Sequence, residues 1–413
     1  MTTTPTTRDD CAERDAADPL ARFRDEFALP DGIVYLDGNS LGALPRATPG
    51  RVADVVEREW GRHLVASWND AGWWDKPRTL GAALAPLVGA GADEVVVGDG
   101  TSANLFKTLV AALRLNPGRR VVVGEEGNFP TDLYITQGVV ELFEGASTRL
   151  VGEDDAGLAA ALEPGDVAVV LLSQVDYRTG ALRDMAAATE LAHAHGALVV
   201  WDLCHSVGAL PIALSEAGAD FAVGCTYKYL NAGPGAPAFT YVARRHHATA
   251  RQPLTGWHGH AEPFGFTGEY VPAPGASRFL SGSQPLVAAA ALEASLDIWA
   301  RVDMAGVRAK SLAMTDLFLE LTAGTGLEPV TPAEHARRGS QVSLRHPDGY
   351  PIVRALAERG VIGDFRAPDV LRFGFTPLYL RYVDVYDAAA ALVDVLKTGE
   401  WREPRFDVRA QVT

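Results

Sequence analysis

Short, wholly apolar runs alternating with helical stretches predict an α/β fold for most of this 413-residue chain, a mainly parallel sheet covered by helices on both faces. Runs such as "DVAVVLLSQV" (166–175) and "ALVVWD" (197–202) are apolar at consecutive positions, as strands buried on both sides require. After about residue 300 the rhythm shifts to longer helices and isolated strands, which predicts a smaller C-terminal α+β domain. The expected divisions are 1–30 for a disordered tip and a short helix, 31–300 for a large domain and 301–413 for the small one.

In order, "GIVYLDGNSLGALP" (32–45) reads as a short strand and a glycine-rich loop. "EVVVGDG" (94–100) is a strand and "TSANLFKTLVAALR" the helix after it. "RRVVVGEE" and "DVAVVLLSQV" are strands, and "DMAAATELAHAHG" is a helix with Gly196 where a C-terminal cap belongs. "ALVVWD" and "ADFAVGC" (219–225) complete the strands of the large sheet. Beyond 300 a long helix (302–323) precedes "SQVSLRH", the helix "YPIVRALAERG", "VIGDFR", "VLRFGFTP" and a last helix near 383–397.

A net charge of −15 would repel a phosphate backbone, so nucleic acid is not an expected partner. Charged residues at 22% and hydrophobic residues at 47% describe a folded chain with a large core. Cys11, Cys204 and Cys225 form neither a disulfide framework nor a zinc pattern. The polar N-terminus is no secretory signal, and "PLVAAAALEASLDIWA", broken by Glu293 and Asp297, is too short and polar to span a membrane. A cytoplasmic protein is expected.

Ligands of open α/β sheets bind at the carboxyl ends of the strands. Thr101, Ser173, Asp202 and Lys228 all fall there. Each alone has a plain structural explanation: Thr101 or Ser102 caps a helix, Asp202 caps a turn, Lys228 reaches solvent. Together they suit pyridoxal phosphate (PLP). A partly buried lysine forms a Schiff base, an acid such as Asp202 pairs with the pyridine nitrogen, and the glycine turn and helix start of "GDGTSANLF" hold the phosphate. Phe129 in "NFPTD" is placed to stack on the ring. A rival reading takes "GDGTSA" (98–103) with Glu125 as a dinucleotide fingerprint, but it leaves Asp202 and Lys228 without a role.

"DGNSLGALP" (37–45), "NFPTDLY" (128–134), "WDLCHSVGALP" (201–211), "GCTYKYLNAGPGAPAF" (224–239) and "GWHGH" (256–260) closely resemble kynureninase, a PLP enzyme of fold type I in the aminotransferase class V group. The similarity runs from about residue 30 to the end. Cys204 stands where the family often has alanine. The resemblance implies hydrolysis of L-kynurenine, or of 3-hydroxykynurenine, to anthranilate and L-alanine in tryptophan catabolism. It implies that Lys228 carries the cofactor, that Asp202 faces the pyridine nitrogen beside His205, and that Phe129 and Asp132 lie at the ring. Thr101, Ser102 and Ser173 would hold the cofactor, with Tyr227 and Trp257 reaching the phosphate. It also implies a homodimer with the site at the interface, to which Trp257 and Ser283 come from the partner, and an arginine clamp for the substrate carboxylate, Arg372 with Arg366 as the alternative. A bidentate guanidinium suits that contact.

Within this reading Lys228 takes the Cα proton and Tyr227 donates protons. Trp68, Trp73 and Trp74 are candidates for the aryl slot, although core packing explains Trp73 and Trp74 at least as well, and Asn39 and Ser40 stand near its mouth. His258 and His260 read as loop structure rather than metal ligands. Small residues at Gly61 and Ser283 favour unsubstituted kynurenine. A cysteine desulfurase would need a cysteine well after the lysine, and none follows Cys225. An aminotransferase, which would share Lys228 and Asp202, and a non-catalytic regulator are the remaining alternatives.

Overall fold

The computed structural model describes residues 6–152 and 155–409. Residues 1–5 of the tip expected to be disordered lie outside that range. Thr7 already caps the first helix, Arg8–Ala16.

Seven strands make the large sheet: β1 (Val95–Val97), β2 (Val121–Glu125), β3 (Ser147–Val151), β4 (Val167–Ser173), β5 (Leu198–Asp202), β6 (Phe221–Gly224) and β7 (Phe239–Val242). Their order is β1-β7-β6-β5-β4-β2-β3, and β7 runs antiparallel to both its neighbours. Two of these strands escape the sequence reading. β3 ("STRLV") lies at the edge and is mostly exposed, so it lacks the apolar run that marked the others. β7 is four residues long and follows a loop rich in glycine and proline.

Side chains alternate across the buried strands. Val169 and Leu171 pack with the apolar face of the helix Thr101–Leu115, while Val170 and Leu172 join the cluster on the opposite face, with Leu292 and Leu296 of the helix Leu286–Trp299. Each fully buried Val or Leu contributes roughly 1.5–3 kcal/mol, which makes this double-faced packing the main source of the sheet's stability. The stretch considered above as the nearest to a membrane span is that helix, Leu286–Trp299. Among the described residues no helix is long and apolar enough to cross a membrane.

A second, antiparallel sheet follows the long helix Met304–Thr322: β8 (Glu328–Pro329), β9 (Gln341–Arg345), β10 (Asp364–Arg366) and β11 (Val370–Gly374), in the order β10-β11-β9-β8. Its register sets Asp364 directly opposite Arg372. The sequence reading placed the segment from residue 31 with the large sheet. Its strand Val34–Tyr35 instead pairs in parallel with Val361–Ile362, and Asp37 bridges to Gly374. The helix Arg8–Ala16 is tied to the same C-terminal side, because Asp15 accepts the amides of Tyr382 and Val383 at the start of the helix Tyr382–Thr398. The loop after Val34–Tyr35 then returns to the large sheet. Gly42 donates to the Tyr227 carbonyl at 2.8 Å, and a side chain at Gly42 would collide with the Lys228 carbonyl and with Asn231.

Candidate active site

The carboxyl ends of β4, β5 and β6 converge with the start of the helix Thr101–Leu115 and with β10 and β11 around a cavity of about 250 Å³. Twelve of the residues expected at the site line it: Asn39, Ser40, Thr101, Ser102, Phe129, Asp132, Ser173, Asp202, His205, Tyr227, Lys228 and Arg372. Arg366, the alternative clamp, lines it too.

The turn into the helix explains where Thr101 and Ser102 point. Gly100 is the N-cap and has no side chain to offer, so neither hydroxyl acts as the cap expected from sequence. They occupy the first two helical positions, where backbone amides have no intrahelical partner. The turn itself is pinned. Asp99, in the left-handed region at φ 51°, donates its amide to Gln284 Oε1 at 3.0 Å, and its carboxylate accepts from buried Lys107 at 2.7 Å.

On the cavity floor two acids meet. Asp202 at the end of β5 accepts the Cys204 amide at 2.6 Å and shares a hydrogen bond with buried Asp132. Burial, then the Asp202 charge, pushes the Asp132 carboxyl well above the usual carboxylate range. Asn128, which the sequence reading passed over, donates to Asp132 at 3.1 Å and accepts from Ser173 Oγ at 2.8 Å. Lys228 Nζ lies 2.9 Å from His205 Nε2. Burial, then the charge of Lys228, holds His205 well below the usual imidazole range, so the neutral ring accepts at Nε2. Its Nδ1 is buried without a hydrogen bond. Tyr227 is held protonated first by burial and then by the neighbouring thiols. Sequence spacing gave no reason to pair Cys204 with Cys225, yet the Cys225 amide donates to Cys204 Sγ at 3.2 Å.

At the opposite wall stands a guanidinium pair. Arg372 Nε and Nη2 grip Asp364 at 2.8 and 2.5 Å, Nη2 also reaches Ser40 Oγ at 2.9 Å, and Nη1 donates to the Tyr177 carbonyl at 2.6 Å. The bidentate fork expected to clamp a substrate is therefore closed on the protein's own carboxylate. Arg366 Nη2 sits 2.8 Å from Asp364. Tyr177 and Asp364, both missed from sequence, belong to this wall. Tyr177 lies in the loop after β4, edge-on to the half-exposed Phe129 ring at 5.3 Å. Asp364 stands two residues before Arg366, and that same-face spacing on a strand was the available signal.

Four expected residues stand apart from the cavity in this chain: Trp68, Trp257, Ser283 and Gly61. Trp68, Trp73, Trp74 and Trp257 pack against one another, with centroid distances of 5.0 Å for Trp74–Trp257 and 5.9 Å for Trp68–Trp73. Trp73 is buried and donates to Glu59 at 2.6 Å, the core role considered for it above. His258 stacks on Trp74, and its Nε2 lies 2.9 Å from the Trp74 carbonyl. Ser283 and Gly61 are exposed. Glu125, the ribose-binding acid of the dinucleotide reading, is instead committed to Arg183 at 2.7 Å and to the Ser173 amide.

Known proteins agree on the family. The model of the "Kynureninase C-terminal domain" matches residues 307–392. Kynureninase of Burkholderia mallei (strain SAVP1) is 52% identical over 98% of this chain and 100% of its own length. Kynureninase of Pseudomonas fluorescens is 50% identical over 99% and 100%. Among solved structures, a C-DES mutant with glycine covalently linked to its PLP cofactor superposes with a TM-score of 0.78 at 19% identity, covering 90% of this chain and 99% of that one. The cysteine desulfurase CsdA of Escherichia coli gives 0.76 at 20%, covering 92% and 98%. At such identities these structures speak for the fold alone, that of class V enzymes of PLP fold type I. The full-length similarity decides what the fold leaves open: the chain belongs to the kynureninase family of PLP-dependent hydrolases.

Proposed function

We propose that this chain hydrolyses L-kynurenine to anthranilate and L-alanine, as a cytoplasmic homodimer. One observation carries the reading: a single cavity sets the Lys228 amine between a buried acid pair and a guanidinium pair. An α-amino acid needs all three.

The residues fit the cofactor. Burial and then the Asp202 charge raise the Asp132 carboxyl, and a protonated pyridine nitrogen beside the two acids would offset that crowding. The uncapped helix start and the hydroxyls of Thr101 and Ser102 suit a phosphate. When bound, PLP supplies a carbonyl that condenses with amines and a ring that withdraws electrons from the bonds at the substrate α-carbon. Lys228 Nζ is the base that moves the α-proton, and neutral His205, accepting at Nε2, orients that amine. Tyr227, held protonated, is the donor to the departing carbon. Asn39 and Ser40 flank the guanidinium wall that receives the carboxylate.

The tryptophan cluster stands off the cavity within one chain, so its part in an aryl slot would come from a partner subunit. Exposed apolar side chains surround that cluster, among them Trp60, Val65 (78% exposed), Phe264 and Phe266 (84%), an apolar belt of the kind that marks an interface. A second copy seated there would bring Trp257, Ser283 and Trp68 to the site. The N-terminal arm joins residues 301–413 in one small domain beside the large, PLP-binding one.

The test is incubation of the purified, PLP-loaded protein with L-kynurenine. Anthranilate and L-alanine in equal amounts are the expected products. Formation of a keto acid in place of alanine would make the protein an aminotransferase instead.

A further inference from the structure

Two of the chain's three cysteines meet at the cavity wall, and the reaction described above uses neither. Both follow strand ends. β5 and β6 run parallel with Asp202 opposite Val223, and the Leu203 amide carries the ladder one step further, to the Val223 carbonyl at 2.8 Å. The same register, continued, sets Cys204 beside Cys225. Adjacent strands lie about 4.8 Å apart, inside the span of roughly 4.4–6.8 Å between α-carbons that a disulfide bridges. The side chains already meet. The Cys225 amide donates to Cys204 Sγ at 3.2 Å, Cys225 Sγ donates to the Cys204 carbonyl at 3.8 Å, and the two thiols hydrogen-bond to each other.

The two thiols differ in access and in acidity. Cys204 lines the cavity, with Thr101 Oγ1 3.9 Å away, whereas Cys225 is 1% exposed. Burial opposes ionisation of Cys225, but its hydrogen bond with Cys204 and then the Lys228 charge hold the thiol below the usual range. Cys204 is pushed above that range by the same hydrogen bond and then by burial. A sulfur open to the cavity, with a more acidic sulfur behind it, is the arrangement of a thiol and its resolving partner.

We propose that Cys204 and Cys225 are a modification site, a dithiol that hydrogen peroxide closes to a disulfide. One peroxide oxygen transfers to Cys204 Sγ, the O–O bond breaks and the first water leaves. Cys225 Sγ attacks that sulfur, the S–S bond forms, the S–O bond breaks and the second water leaves with the remaining thiol proton. The two sulfurs lose two electrons and the peroxide gains them. The bond would join the two loops that carry the site, since Cys204 stands between Asp202 and His205, and Cys225 three residues before Lys228. Lys228 Nζ and His205 Nε2, 2.9 Å apart, span the same gap. Drawing the sulfurs to about 2.05 Å pulls these loops together and shifts Lys228 against Asp202 and His205. In a reducing compartment such a bond is transient, formed under oxidant and undone by reductant.

The experiment treats PLP-loaded wild type, Cys204→Ala and Cys225→Ala with hydrogen peroxide, then denatures each in an alkylating agent and digests it without reductant. In the wild type a peptide linked through Cys204 and Cys225 should appear, with free thiols falling from three to one. The cofactor's visible absorption should change with it. Turnover of L-kynurenine should fall at least about tenfold, since an ångström of misplacement at a catalytic group costs up to about 10²-fold. Dithiothreitol, removed before assay, should restore all of these. Cys225→Ala lacks the resolving thiol and should instead build up sulfinic acid on Cys204, which dithiothreitol does not reverse. Cys204→Ala should keep whatever activity it has before treatment. Sulfinic acid on Cys204 in the wild type, or three free thiols after treatment, would overturn the inference. So would an equal loss of activity in wild type and Cys204→Ala. The linked peptide is read without turnover, so a wild type that forms it but releases no anthranilate would count against the proposed reaction and leave this inference standing.

Discussion

The two ends of the cavity carry opposite electrostatic designs. At the floor, Asp202 stands against buried Asp132, whose carboxyl is pushed up first by burial and then by the Asp202 charge. At the far wall, Arg366 and Arg372 face a carboxylate, Asp364, that the chain supplies itself. The floor crowds two acids together, whereas the wall pairs its two guanidinium groups with a carboxylate of the same chain. A floor of this kind specifies a cofactor tightly, because binding removes a standing penalty. A wall of this kind holds its geometry in advance and keeps only a few donors for the substrate, a form of preorganisation.

The largest effect should come from breaking the floor. Lys228→Ala is expected to lose the cofactor's visible absorption as the covalent link goes, and to lower kcat by at least about 10³-fold. Retention of that absorption would show that another amine holds the cofactor. Asp202→Asn keeps the shape of the floor and removes its charge. It should lower kcat by roughly 10²- to 10³-fold, while the Asp132 carboxyl falls part of the way and stays raised by its burial. An unchanged kcat in this variant would reassign the pyridine partner to Asp132.

A smaller effect, in stability, sharpens the contrast between an unpaired and a paired acid. Asp37, beside the wall, has its carboxyl pushed up to about 7 by burial and then by the Asp364 charge. Above about pH 4 the unfolded chain has released that proton while the folded chain keeps it, so Asp37 weakens the fold as pH rises toward 7. Asp37→Asn should therefore gain stability, on the order of 1–3 kcal/mol, at pH 8, roughly a third of that at pH 5 and almost none at pH 4. Asp220 behaves in the opposite sense. Burial acts to raise its pKa, but His193 and His246, at 2.8 and 2.7 Å, and the Val199 amide outweigh burial and hold it well below the usual range. Its contribution is present above about pH 4 and is lost as pH falls, so Asp220→Asn should destabilise at pH 7, with a deficit that narrows in acid. Thermal melts of the Asp37 variant from pH 4 to pH 8 and of the Asp220 variant from pH 7 down to about pH 2 check the two signs, and a variant whose curve stays parallel to the wild type over its range would show that its acid does not titrate as described.

The sequence by itself determined the large sheet and most of the floor. Apolar runs longer than four residues have no stable place except a sheet covered on both sides, and their carboxyl ends are where a ligand site forms, so the strand pattern alone groups Ser173, Asp202 and Lys228. The motifs around Lys228 and Asp202 also carried the family. What only the tertiary structure decided were the contacts made across long sequence separations. The register of β10 on β11 puts Asp364 opposite Arg372 and closes the expected clamp. The return of the N-terminal arm to the C-terminal strands brings Asn39 and Ser40 to the wall. The packing of Trp68, Trp74 and Trp257 on one another takes them off the cavity. Local propensity and periodicity report which side chains are buried, but a pairing is set by strand register and loop closure over hundreds of residues, and a single chain's pattern holds no record of that.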